Sequence, residues 1–144
     1  MECSDTVKLL RECNAGTKMA VSSIDEVLDK VQDPRVKSLL SESKRHHGEL
    51  GNELHSLLLE YDSDEKEPNP MATGMSWMKT TWKMGVNKSD ATVADLITEG
   101  CNMGIKSLVR YENQYKAADK KAKDICNQLI RIEETLATDL RPYL

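Results

Sequence analysis

A chain of 144 residues with 39% hydrophobic content is the size of one globular domain, and 4% aromatic content without Phe leaves its core to Leu, Ile, Val, Met and Ala. Those side chains suit packed helices and argue against a β-sandwich. With 20 basic against 24 acidic residues, a net charge of -4 and a pI near 5.4, a nucleic-acid partner is disfavoured. No apolar run exceeds three residues and the N-terminus lacks a signal-peptide pattern, so no membrane span and a cytoplasmic location are expected.

The first helix is predicted from about Asp5 to Gln32, with Leu10, Thr17, Val21, Ile24, Leu28 and Val31 recurring at helical spacing. Asp33 and Pro34 then supply a cap and a first-turn proline, so a second helix starts almost at once. It carries Val36, Leu39, Leu40, Ser43, His47, Leu50, Leu54, Leu57 and Tyr61 on one face. A turn this short makes the pair an antiparallel hairpin.

Residues 62–70 read as a linker, because charge and two prolines stop the helix. A shorter helix follows from Met71 to near Gly85, with Met71, Met75, Met78 and Trp82 on one stripe and Trp77 off it. A helix this short buries one face against its own bundle, so Trp77, with Trp82, Met75 and Met78, marks an expected interaction surface for a homodimer or a protein partner. Ser89 or Asp90 caps a third helix through Val93, Ile97, Cys101, Ile105, Leu108 and Tyr111 or Tyr115. The pattern breaks phase at Lys116 to Asp119, and a fourth helix carries Ala122, Ile125, Leu129, Glu133, Leu136, Leu140 and Tyr143.

The strongest signal is internal. Cys13-Asn14-Ala15-Gly16-Thr17-Lys18 and Cys101-Asn102-Met103-Gly104-Ile105-Lys106 share C-N-x-G-x-K. With a two-residue shift, Val36-Lys37 matches Ala122-Lys123, Leu39 matches Ile125, Leu50 matches Leu136 and Leu54 matches Leu140. The expectation is a duplicated hairpin: one all-α domain over residues 1–144, with hairpins at 5–62 and 89–144 joined by a crossover at 63–88 that holds the short extra helix.

The C-N-x-G-x-K helices, the E-x-N-P-M segment from Glu67 to Met71 and the Met-Ser-Trp-Met stretch from Met75 to Met78 resemble an uncharacterised bacterial family of ferritin-like four-helix bundles. The resemblance covers nearly the whole chain. It implies the fold and carries no reaction with it.

A ferritin-like di-metal centre uses Glu-x-x-His on two helices, because i, i+3 spacing aims both side chains at one pair of ions. No Glu here has His three positions later, and Leu50 and Leu136 stand where each His would be. The repeat sets Asn14 against Asn102 and His47 against Glu133, so an inward polar layer is expected from these four. No catalytic residue is indicated, and His47 and Glu133 are the candidate metal ligands. Gly16 and Gly104, costly in mid-helix, are expected at close helix contacts. Cys13 and Cys101 are expected as buried thiols. The primary expectation is a non-catalytic interaction or structural protein. The alternative is an iron-, manganese- or zinc-binding protein or oxidoreductase with a remodelled centre.

Overall fold

A computed structural model of the chain describes residues 4–61 and 89–144. Four helices account for nearly all of them: α1 Asp5–Leu28, α2 Pro34–Glu60, α3 Asp90–Gln114 and α4 Lys120–Leu140, followed by a 3-10 turn at Arg141–Tyr143. There is no strand among the described residues.

Every helix opens on a side chain that accepts a first-turn N–H. Ser4 receives Val7 N, Asp33 receives Arg35 N, Ser89 receives Thr92 N and Asp119 receives Ala122 N. Pro34 sits in the first turn of α2, where its missing N–H costs nothing. The same proline biases Asp33 away from helical backbone, and Asp33 is extended at ψ 122. The first helix ends at Leu28, short of the expected Gln32, and Val31 reaches the core from the turn.

Contacts between helix ends fix the directions. Gln32 and Asp33 donate their backbone N–H groups to the Asp90 carboxylate at 2.8 and 2.7 Å, which sets the start of α3 beside the α1–α2 turn. At the opposite end, Ala117 N donates to Asp5 at 3.0 Å, Asp119 N donates to the Thr6 hydroxyl at 2.8 Å, and the Tyr61 hydroxyl donates to Asp119 at 3.1 Å. Helices α1 and α4 thus run one way and α2 and α3 the other, so Tyr61 and Ser89 stand at opposite ends of the bundle. The expected crossover helix, with Trp77, Trp82, Met75 and Met78, lies outside the described residues.

The interior divides in two. One apolar cluster unites Ile24, Val27, Val36, Leu40, Val93, Ile97, Cys101, Leu136 and Leu140, and the other unites Leu9, Leu10, Cys13, Leu50, Leu54, Leu58, Leu108, Ile125, Cys126 and Leu129. Most expected core positions are buried, with small rotational corrections: Val27 is fully buried while Leu28 is only partly so, and Leu58 replaces Leu57. Ile105 is half-buried rather than central.

Candidate functional site

On every helix, the stretch between the two apolar clusters carries something other than a large apolar side chain. On α1 it holds buried Asn14 and Thr17, on α2 Ser43 and His47, on α3 Gly104, and on α4 Glu133. Thr17 satisfies itself, donating its hydroxyl to the Cys13 carbonyl at 2.8 Å. Its methyl group packs toward α2, 3.1 Å from where a Cβ on Gly51 would stand.

His47 is 2% exposed, and its Nδ1–H donates to the Ser43 carbonyl one turn earlier at 2.8 Å. That bond settles the tautomer: the proton is on Nδ1 and Nε2 keeps a bare lone pair. Burial holds the imidazole below its ordinary pKa, so the ring is neutral near pH 7. Nε2 is buried with no hydrogen-bond partner among the described residues.

Glu133 lies in the seam between α3 and α4. A Cβ built on Gly104 would fall 2.6 Å from both of its carboxyl oxygens, so the carboxyl occupies the space a side chain would take. Burial pushes its pKa up to about 8, and Oε2 is buried without a partner. The Cys101 thiol is raised to about 12, by burial first and by the Glu133 carboxyl second. This level of the bundle is therefore polar but neutral.

The helix ends give the heights. His47 is fourteen residues up α2 from Tyr61, Glu133 is fourteen residues up α4 from Asp119, and Tyr61 bonds Asp119. At 1.5 Å per residue, His47 and Glu133 stand level, each about 21 Å from that end. Asn14 is only eight residues up α1 from Thr6, whose hydroxyl meets the same Asp119. It sits about 9 Å lower, at the height of the Cys13 and Cys126 thiols. Those two thiols touch, and that contact, with burial, holds Cys13 well above the ordinary range.

Two expectations are corrected here. Asn102 is exposed, because α1 packs against all three other helices and buries both flanks of its motif, whereas α3 packs against α1 and α4. Asn14, though 2% exposed, does not share a layer with Glu133, and no hydrogen bond joins Asn14, His47 and Glu133. The glycines also divide: Gly104 makes the expected close contact, while a Cβ at Gly16 would meet nothing within 4 Å.

As a metal centre the pair is short of donors. Among the described residues no three His, Cys, Asp or Glu side chains come together as a group that could hold an ion. Of Glu12, Glu49 and Glu99, the carboxylates whose help such a His–Glu pair would need to hold an ion, Glu49 and Glu99 are exposed and Glu12 is half-buried. Sequence reasoning did not single out Ser43 as the partner of His47 or the Cys13–Cys126 contact. The i, i+4 spacing of Ser43 and His47 carried the first signal, and nothing local carried the second.

No protein-family model, curated protein or solved structure matches the chain. No described helix is long and apolar enough to cross a membrane.

Proposed function

We propose that this is a ferritin-like four-helix bundle which has kept the architecture without the Glu-x-x-His pairs, and that it works as a non-catalytic interaction or structural protein. Support for the ferritin-like reading comes from the helix directions, since a connection from Tyr61 to Ser89 that joins opposite ends is the single long crossover of that arrangement. Support for duplication comes from the ends: Ser4-Asp5 and Ser89-Asp90 both cap with Ser and both send the Asp carboxylate to backbone N–H groups of the opposite turn. Among the described residues, the free buried thiols Cys13, Cys101 and Cys126 fit a reducing compartment such as the cytoplasm.

The observation that carries the functional reading is the neutrality of the level shared by His47 and Glu133. One ring nitrogen is spent on its own helix and the carboxyl is held protonated, which serves packing and helix register better than cation binding. The working surface of such a bundle is external, and the homodimer or partner contact is proposed on the crossover around Trp77.

A second reading, an iron, manganese or zinc protein, is favoured by one feature: the His47 Nε2 lone pair and the Glu133 carboxyl stand at one height. Elemental analysis of protein purified without chelator separates the two. The bundle is expected to carry metal well below one ion per chain, and near-stoichiometric metal that is lost in a His47→Phe, Glu133→Gln double variant would overturn the first reading. Light scattering on size-exclusion fractions of wild type and Trp77→Ala tests the surface, with a dimer expected that the substitution weakens.

A further inference from the structure

We infer that the outward face of α1, along Lys8, Arg11, Ala15 and Ser22, is the docking surface for the crossover at 62–88, which passes over α1 and not over α4. This goes beyond the proposed contact around Trp77 and stands without it. The chain leaves α2 at Tyr61, at the end where Thr6 meets Asp119, and enters α3 at Ser89, at the end where Asp90 holds Gln32 and Asp33. Helices α2 and α3 occupy opposite corners of the bundle, each packed against both α1 and α4, so the connection between them passes one of those two.

Exposure decides between the two routes. On α4, Asp124, Gln128, Arg131 and Thr135 recur at helical spacing and all are exposed, whereas on α1 no residue from Asp5 to Ile24 is exposed. Cys13 is fully buried in the core, and Ala15, about 200° further round the helix, is only 8% exposed, so α1 is covered on the side that faces away from the core. The repeat supplies the control: at the matching place on α3, Cys101 is buried and Met103 is 51% exposed.

Three packed helices account for the core side of α1 and its flanks, and the outward side needs a further segment. Residues 1–3 extend at most about 10 Å from Ser4, while Ala15 stands about 16 Å up the helix. The crossover has the length: the 27-residue α2 is about 40 Å long, and residues 62–88 reach about 90 Å if extended. Charge agrees as well. The acidic start of the crossover, Asp62, Asp64, Glu65 and Glu67, leaves the end of the bundle where Lys8 and Arg11 stand two and five residues up α1 from Thr6. Its Met and Trp stretch follows, and higher on the same face of α1 the small side chains of Ala15 and Ser22 leave room for large apolar ones.

Both tryptophans of the chain lie in the crossover, so tryptophan emission reports on that segment alone. The test is quenching of that emission in the full chain by a nitroxide label on Ser22→Cys or on Thr135→Cys, each made in a Cys3→Ser background. The two positions stand at one height on α1 and α4, sixteen residues up from the bonded pair Thr6 and Asp119, and the buried thiols Cys13, Cys101 and Cys126 stay unlabelled. Loss of emission is expected from the label on α1 and not from the label on α4. Equal or stronger quenching from Thr135→Cys, or none from either position, would overturn the inference, as would quenching that disappears when labelled chains are mixed with excess unlabelled ones, which assigns the cover to a second copy. Should the label at 22 disturb the fold by circular dichroism, Glu26→Cys against Asp139→Cys makes the same comparison one turn higher.

Discussion

The carboxylate of Asp90 accepts the backbone N–H of Asp33 at 2.7 Å across 57 positions of sequence, and the same carboxylate accepts Gln32 N at 2.8 Å. One side chain at the start of α3 thereby pins the turn between α1 and α2. Asp90→Ala leaves two turn donors to water and should cost about 1–2 kcal/mol in urea unfolding. Asp90→Asn, which keeps one acceptor oxygen, should lose about half as much. A loss no larger than that of a substitution at exposed Ser41 would show that the clasp is incidental.

The two motif glycines should respond with opposite sign. Gly16→Ala adds a methyl group that meets nothing within 4 Å, and should stabilise by about 1 kcal/mol through helix propensity. Gly104→Ala places a methyl group 2.6 Å from the Glu133 carboxyl oxygens and should lose about 1–2 kcal/mol net, because the buried carboxyl must move. In a Glu133→Ala background most of that loss should vanish, which a double-mutant cycle measures.

Glu133 and His47 should give stability opposing slopes with pH. Glu133 binds its proton more tightly folded than unfolded, so its contribution is intact below the ordinary value of 4.5 and is lost as pH rises toward about 8. At most about 5 kcal/mol is involved over that window. His47 is shifted down, so its contribution is intact above 6.5 and is lost as pH falls below it. Denaturant midpoints measured across pH should therefore lose the decline between about pH 4.5 and 8 in Glu133→Gln, and the decline below pH 6.5 should lessen in His47→Phe.

Core and surface leucines five positions apart on α2 should separate cleanly. Leu54 is fully buried in the cluster around Cys13 and Leu129, and truncation to Ala should cost about 2–5 kcal/mol. Leu59 is 64% exposed, and the same change should cost under about half a kcal/mol by thermal unfolding.

What sequence alone determined was local and periodic. Ser and Asp caps, Pro34 after Asp33, and apolar residues at 3.6 spacing act within a few positions of themselves, so the four helices and the broken phase at Lys116 to Asp119 were legible without any partner. The candidate pair His47 and Glu133 was legible too, because the repeat aligns them and polar residues interrupt an apolar stripe. The identical C-N-x-G-x-K motifs could not reveal their different fates. Whether Asn is inside at 14 and outside at 102 depends on how many helices press on α1 and on α3, and which residues share a height depends on how antiparallel helices slide past each other. Both are set by side-chain interlocking among segments distant in sequence, so only the tertiary structure decided that Asn14 stands apart, that Gly104 receives a carboxyl, and that His47 and Glu133 stand at one level.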